Sequence, residues 1–269
     1  MDIFQILVLG LIQGITEWLP VSSKTLDTVA YLAMGGAQEH VIYVLLYLHM
    51  GTIIAAAIYY RQELLSILQK SLQIRSINSL QNSHTGFYIA ALAGTGIIGL
   101  PLLLLQKYVF ENLNASLLLV LMGAGLLLTA YLLHSQKGKE HEKSLTHAGA
   151  KDGLITGLFQ GLSVLAGVSR SGTTTTALAW LKYEPRAIFE LSFILSIPTV
   201  ICAELLFYAI DINFSQFNLV EGALLALSSF VFGYLTIGAL VSFAKKFNLA
   251  AVAAAFGLIM AIAGLLQIS

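Results

Sequence analysis

Residues 10–24 read GLIQGITEWLPVSSK, and residues 157–171 read GLFQGLSVLAGVSRS. Laid over each other without gaps, they pair Gly10 with Gly157, Leu11 with Leu158, Gln13 with Gln160, Gly14 with Gly161, Val21 with Val168 and Ser22 with Ser169. Gly, Leu and Ser are common in apolar helices and align by chance over short stretches. The same offset, however, carries Thr52-Ile53-Ile54 onto Thr199-Val200-Ile201, so the register points to an internal duplication. Each copy also interrupts an apolar run. Ile3–Leu19 meets Pro20, then Ser22-Ser23-Lys24 and a short helical run to Ala33; Leu154–Val168 meets Ser169-Arg170-Ser171-Gly172 and then Thr173–Leu181. Helix, polar break, helix predicts a re-entrant hairpin, because backbone stays irregular inside a bilayer only where it lines a cavity. The pairs Gly10/Gly14 and Gly157/Gly161 have the small-xxx-small spacing that lets helices approach closely.

The rest of the chain sets the solvent. Of 269 residues, 57% are hydrophobic and 10% charged, against roughly a quarter charged in soluble domains. The runs Val41–Tyr60, Phe87–Leu105, Leu117–Leu133, Ile188–Tyr208, Val220–Phe243 and Leu249–Leu266 approach or reach the roughly 20 residues that cross a bilayer as helix. The expectation is an all-α integral membrane protein of six full transmembrane helices and two re-entrant hairpins. The single cysteine, Cys202, lies in an apolar run, which excludes a disulfide framework or a cysteine metal cage. A formal net charge of zero removes the bulk basic surface that nucleic-acid binding needs. The opening MDIFQILVLG lacks a basic n-region and a small-residue cleavage site, and reads as mature protein.

Three spans follow each copy of the motif. An odd number starts the copies on opposite sides of the bilayer, so the halves, about 1–134 and 150–269 joined by the polar loop 135–149, form a single membrane domain of inverted repeats. The shared site then lies near the midplane of their interface. Following the spans, one face collects Arg61, Lys70, Arg75, Lys137, Lys139, Lys143, Lys151, Lys182, Arg186, Lys245 and Lys246, and the other little beyond Lys24 and Lys107, with Glu39, Glu111 and Asp211. The positive-inside rule makes the first face cytoplasmic, so the Glu17 motif opens outward.

Chemistry concentrates at the two breaks. Gln13 and Glu17 are four apart and share one helix face. After Pro20, the backbone N–H groups and hydroxyls of Ser22 and Ser23 open a new helix and are placed to meet an anion. In the second copy Ser169, Ser171, Gly172, Thr173 and Thr174 do the same around Arg170, whose planar fork suits phosphate oxygens. Lys24 adds positive charge. A carboxylate beside a phosphate needs an intervening cation or a proton; a divalent ion, Mg²⁺ or Ca²⁺, bridging Glu17 and phosphate with Gln13 as a neutral ligand meets that need. Plainer readings stand beside these. Glu17 forms a structural ion pair with Arg170 or Lys24, Arg170 anchors at headgroups, the hydroxyls satisfy helix backbones, and His49 packs within its span. Glu204 is a functional candidate by location alone.

The paired motifs, Gln13-Gly14-Ile15-Thr16-Glu17-Trp18-Leu19-Pro20-Val21-Ser22-Ser23 and Gly167-Val168-Ser169-Arg170-Ser171-Gly172-Thr173-Thr174, resemble the bacitracin-resistance type of undecaprenyl pyrophosphate phosphatase. Leu48-His49-Met50-Gly51-Thr52 and Phe189-Glu190-Leu191-Ser192-Phe193 extend the resemblance along nearly the whole chain. It implies an inverted-repeat membrane fold in the plasma membrane that hydrolyses a long-chain polyprenyl diphosphate to the monophosphate carrier lipid and phosphate, usually aided by a divalent cation. It also implies catalytic roles for Glu17, Ser23 and Arg170, phosphate contacts from Ser22, Lys24, Ser169, Arg170, Ser171 and Thr174, and metal contacts from Glu17 and Gln13. Two departures stand out. Where the family places a histidine after the Ser-Ser pair, this chain has Leu26, and Gln13 carries one negative charge fewer than the glutamate the family also permits. The competing reading is a transporter or flippase that binds a phosphorylated prenyl lipid without hydrolysing it; the presence of both Glu17 and Ser23 favours the enzyme. Either reading is compatible with a homodimer.

Overall fold

A bilayer offers backbone groups no hydrogen-bond partners, so an apolar chain must satisfy them within helices. The computed structural model describes residues 1–72, 81, 83–110, 115–136, 138, 141–210, 217–244 and 248–268. Those residues form eleven α-helices and no named strand: α1 Ile3–Thr16, α2 Ser23–Ala33, α3 Val41–Tyr59, α4 Arg61–Leu72, α5 His84–Phe110, α6 Ala115–His134, α7 Ala150–Gly161, α8 Arg170–Trp180, α9 Pro185–Ile210, α10 Leu219–Ala244 and α11 Leu249–Ile268. Six stretches are long and apolar enough to span: Gln38–Tyr59, His84–Leu105, Ser116–His134, Pro185–Leu206, Leu219–Ala239 and Leu249–Leu266. They coincide with the six expected runs to within a turn. Of the charges used for orientation, Arg75, Lys137, Lys139, Glu111, Asp211, Lys245 and Lys246 lie outside the described residues, as does the Lys107 side chain. Helix α4 was not among the expected elements.

The chain divides into two compact units. The first holds α1, α2, α3, α10 and the part of α9 from Ser196. Helix α1 starts on a capping box: Asp2 Oδ1 accepts from the Gln5 amide at 2.8 Å and Gln5 Oε1 accepts from the Asp2 amide at 3.0 Å, which satisfies donors that no earlier turn can serve. It then packs on α10 through its two glycines. A Cβ on Gly10 would overlap Ser228, and one on Gly14 would overlap Phe232 and Gly233. Thr236 Oγ1 donates to Gly14 O at 2.6 Å and Trp18 Nε1 to Gly233 O at 3.3 Å, so hydrogen bonds reinforce the close approach. Helix α3 packs on α10 in the same manner, with Gly51 against Ala226 and Ser229. Ile6, Leu9, Tyr31, Val44, Tyr47, Leu48, Phe217 and Leu225 fill the space between.

The second unit holds α4 from Gln62, α5, α6, α7, α8, the start of α9 and α11. Here α7 packs on α5 through Gly153, Gly157 and Gly161, against Phe87, Ala91 and Ile98. Helices α6 and α11 meet through Gly123, Gly257 and Gly264. The turn before α8 needs a glycine: Gly167 has φ +82°, and a Cβ there would strike Met122 O, so both backbone and space exclude a side chain. A polar clasp closes the base of the α7–α8 pair. Tyr183 OH donates to Asp152 Oδ2 at 2.8 Å and to His147 O at 3.2 Å, and Lys143 Nζ donates to the same Asp152 oxygen at 2.7 Å. His141 Nδ1 reaches Tyr183 O at 2.7 Å. Burial first, then the Asp152 hydrogen bond and charge, push the Tyr183 hydroxyl above its ordinary range, so it stays a proton donor throughout the physiological range.

The two polar breaks as candidate functional sites

The first break begins where α1 ends. Pro20 carries no N–H and cannot continue the ladder, and the turn Glu17–Pro20 leads to Ser22, whose φ of +61° is a left-handed conformation for a residue with a side chain. Such a backbone costs about 1–3 kcal/mol and persists where surrounding structure imposes it, commonly at functional sites. Helix α2 then starts at Ser23.

In the first unit Glu17, 5% exposed, is the centre of a buried polar cluster. Its Oε2 accepts from Gln13 Nε2 at 3.1 Å and from Ser23 Oγ at 2.7 Å. The i, i+4 spacing therefore does bring Gln13 and Glu17 together. Gln13 Nε2 also donates to Thr52 Oγ1 at 3.2 Å, while its Oε1 is buried and makes no hydrogen bond. His49 completes the cluster. Its Nδ1 lies 2.7 Å from Leu45 O, and because a carbonyl only accepts, the proton sits on Nδ1. Nε2 faces Glu17 Oε2 at 3.5 Å, an ion pair when the ring carries a second proton on Nε2. The sequence reading had placed His49 in packing; the structure puts it against the central carboxylate. Its signal was the Leu48–Thr52 motif, which places His49 and Thr52 on one face of α3. Lys24 is half-buried at the start of α2, and Leu26 follows it with an apolar side chain where a histidine was the family expectation.

In the second unit the break forms a donor nest. Ser169 is the N-cap of α8: its Oγ accepts from the Gly172 amide at 3.2 Å, and its own amide donates to Thr129 Oγ1 at 3.0 Å. Ser169 Oγ and Ser171 Oγ are 3.1 Å apart. The threonines turn inward along the helix. Thr173 Oγ1 and Thr174 Oγ1 donate to Arg170 O at 2.9 and 3.0 Å, Thr175 to Ser171 O and Thr176 to Gly172 O, both at 2.7 Å. Thr174 Oγ1 also meets Ser192 Oγ at 2.6 Å. Ser169, Ser171 and Thr173 to Thr176 are all buried. The expected phosphate-facing residues Ser169, Arg170, Ser171 and Thr174 are thus gathered on one helix start, with the Thr174 hydroxyl committed to its own helix and to α9. Gln160 Nε2, the counterpart of Gln13, donates to Thr95 Oγ1 at 2.9 Å. Surface clefts beside α4 and between α6 and α11 are lined by residues of neither break.

Among the described residues no group of three or more His, Cys, Asp or Glu side chains is arranged for a metal ion. What the first break offers a hard cation is oxygen: the Glu17 carboxylate and the orphaned Gln13 Oε1. An orphaned buried acceptor fits a small oxygen-seeking cation whose remaining positions go to water and phosphate.

Comparison with known proteins agrees with this chemistry. The family profile described as bacitracin resistance protein BacA matches residues 6–266. A protein of Haloarcula marismortui named undecaprenyl-diphosphatase is 34% identical, over 97% of this chain and 96% of the relative. Proteins of the same name from Methanococcoides burtonii and Pyrobaculum aerophilum are each 32% identical; the first match covers 91% of this chain and 92% of the relative, and the second 100% and 99%.

Proposed function

Because the chain belongs to the bacitracin resistance protein BacA family, it is a membrane phosphatase of undecaprenyl diphosphate, and we propose that its first polar break supplies the nucleophile and base of that reaction and its second a phosphate-binding helix start. The relatives named above carry the diphosphatase name, and nothing in them supports the transport alternative. The observation that carries the assignment is the 2.7 Å hydrogen bond from Ser23 Oγ to Glu17 Oε2 in a buried setting, the geometry of a nucleophile and its base.

Ser23 Oγ attacks the terminal phosphorus as Glu17 takes its proton. The P–O bond to the inner phosphate breaks, the prenyl monophosphate departs with the proton from Glu17, and the phosphoryl group rests on Ser23. Water then attacks the phosphoserine as the regenerated Glu17 carboxylate takes its proton, and Glu17 passes that proton to Ser23 Oγ as the Ser23–phosphorus bond breaks, releasing inorganic phosphate. Phosphoryl transfer demands little covalent work and much charge stabilisation. Arg170, with the Ser169 and Ser171 hydroxyls and the first amides of α8, supplies it, and Lys24 and Ser22 contribute at the other helix start. His49 and Gln13 hold Glu17 in position. A divalent cation, when bound, would offset the diphosphate charge beside Glu17, with Glu17 and Gln13 Oε1 as its protein ligands.

The two breaks serve as re-entrant hairpins of inverted repeats. Supporting this, α1 packs on the second span after the second motif, and α7 packs on the second span after the first motif, each through its motif glycines. The basic residues Arg61, Lys70, Lys143, Lys151, Lys182 and Arg186 favour the cytoplasmic side for their face, which opens the Glu17 side to the outer surface of the plasma membrane. The test is phosphate release from undecaprenyl diphosphate by purified protein in detergent. Release that disappears in Ser23→Ala and Glu17→Gln supports the assignment; release by both at the wild-type rate overturns it.

A further inference from the structure

Asp27 has no place in the motif shared with the family, yet it is the most completely buried acid of the first unit. It lies on α2 four residues after Ser23, so both side chains leave the same face of that helix. It is 0% exposed, and neither carboxylate oxygen has a hydrogen-bond partner. Thr28 beside it is already satisfied, donating to Lys24 O at 2.7 Å. Ser23 on that face donates to Glu17 Oε2 at 2.7 Å, which ties this side of α2 to the Glu17 carboxylate. On the neighbouring α1, Gln13 Oε1 is also buried with no hydrogen bond, its amide nitrogen being committed to Glu17 and Thr52, and Glu204 Oε1 on α9 is a further such acceptor.

Acceptors left unmatched in an apolar interior are costly, and two carboxylates near each other raise the cost further. The Asp27 and Gln13 acceptors are all hard oxygens, and one ligand chemistry answers them together. We propose that Asp27 is a ligand of the divalent cation, so that Glu17, Asp27 and Gln13 Oε1 form the protein side of one cation site next to the Ser23 hydroxyl. Two carboxylates and an amide fall short of an all-protein cage, which is the few-ligand pattern by which Mg²⁺ and some Ca²⁺ sites keep positions for water and substrate phosphate. Asp27 also restores the negative charge that Gln13, in place of a glutamate, does not supply. The inference rests on the phosphatase reading of the first break.

Terbium(III), which takes the same oxygen ligands as Ca²⁺, provides a readout independent of turnover. The chain has two tryptophans; in a Trp180→Phe background excited at the red edge, where tyrosine does not absorb, Trp18, next to Glu17, is the sole tryptophan sensitiser. Excitation of that protein in detergent is expected to give terbium emission that Ca²⁺ displaces. Asp27→Asn, which keeps shape and burial, is expected to weaken terbium binding at least tenfold, and Gln13→Leu severalfold. Wild-type affinity in Asp27→Asn overturns the proposal, as does absence of sensitised emission from the parent. A melting temperature for Asp27→Asn at or above that of the parent, combined with lost terbium binding, separates ligand loss from unfolding. Arg170→Ala serves as the second arm. It is expected to abolish phosphate release while keeping terbium emission; release at the parent rate would refute the Arg170 cradle and leave the cation site standing.

Discussion

The two breaks share a sequence pattern and have opposite electrical characters. The register that lays Ser22 on Ser169 puts Val164 where Glu17 stands and Arg170 where Ser23 stands. The first break gathers acceptors: a buried carboxylate, two unpartnered oxygens on Asp27 and one on Gln13. The second gathers donors: a guanidinium, an N-capping serine and a helix start whose threonines feed their hydroxyls back into the same helix. What they retain in common is scaffolding. Gln13 and Gln160 each donate to a threonine on a neighbouring span, Thr52 and Thr95, and each motif helix lies on another helix through its glycines. On the proposed reading, the acceptors of the first suit a nucleophile and a cation, and the donors of the second suit an anion.

If that division of labour is right, the largest loss comes from the donor side. Arg170→Ala is expected to lower kcat by about 10³-fold or more, the scale of a guanidinium that stabilises phosphoryl transfer; Arg170→Lys, which keeps the charge but not the fork, should recover part of it. Equal rates for the Ala and Lys variants would show that charge placement is irrelevant there. Next comes the acceptor side. Ser23→Ala should remove the acid-stable phosphoserine that rapid quenching with labelled substrate detects in the parent. A labelled species that persists in Ser23→Ala would move the nucleophile elsewhere. A smaller effect is expected at His49. Its Nε2 faces Glu17 and not the substrate, so His49→Ala should lower kcat about tenfold while leaving KM within about twofold, against the roughly 10²–10⁴-fold of a direct acid–base group. The smallest effect belongs to the clasp below the second break. Tyr183→Phe removes the donor to Asp152 and His147 O and should cost about 1–3 kcal/mol of stability, read as a lower melting temperature with kcat little changed.

Much of this architecture was legible in the chain. The six spans follow from apolar length, and Gly10, Gly14, Gly157 and Gly161 announced close helix contacts that the structure contains. The Gln13–Glu17 contact followed from helical spacing, and the start of α8 from Ser169 as a cap. The approach of His49 to Glu17 was not legible because the two lie 32 positions apart on different helices, and spacing along one element says nothing about contacts across two. Asp27, which a helix turns about 100° from the histidine position at Leu26, lies instead on the face of Ser23, four residues earlier. The α7–α8 clasp joins Lys143, Asp152 and Tyr183 across a polar loop, a pairing that no periodicity encodes.

The central claim is that Ser23, hydrogen-bonded to the buried Glu17, is the nucleophile. A structure of the protein with vanadate bound in place of the terminal phosphoryl group tests it most directly. The account predicts vanadium bonded to or in contact with Ser23 Oγ. Vanadate held away from Ser23 would contradict it.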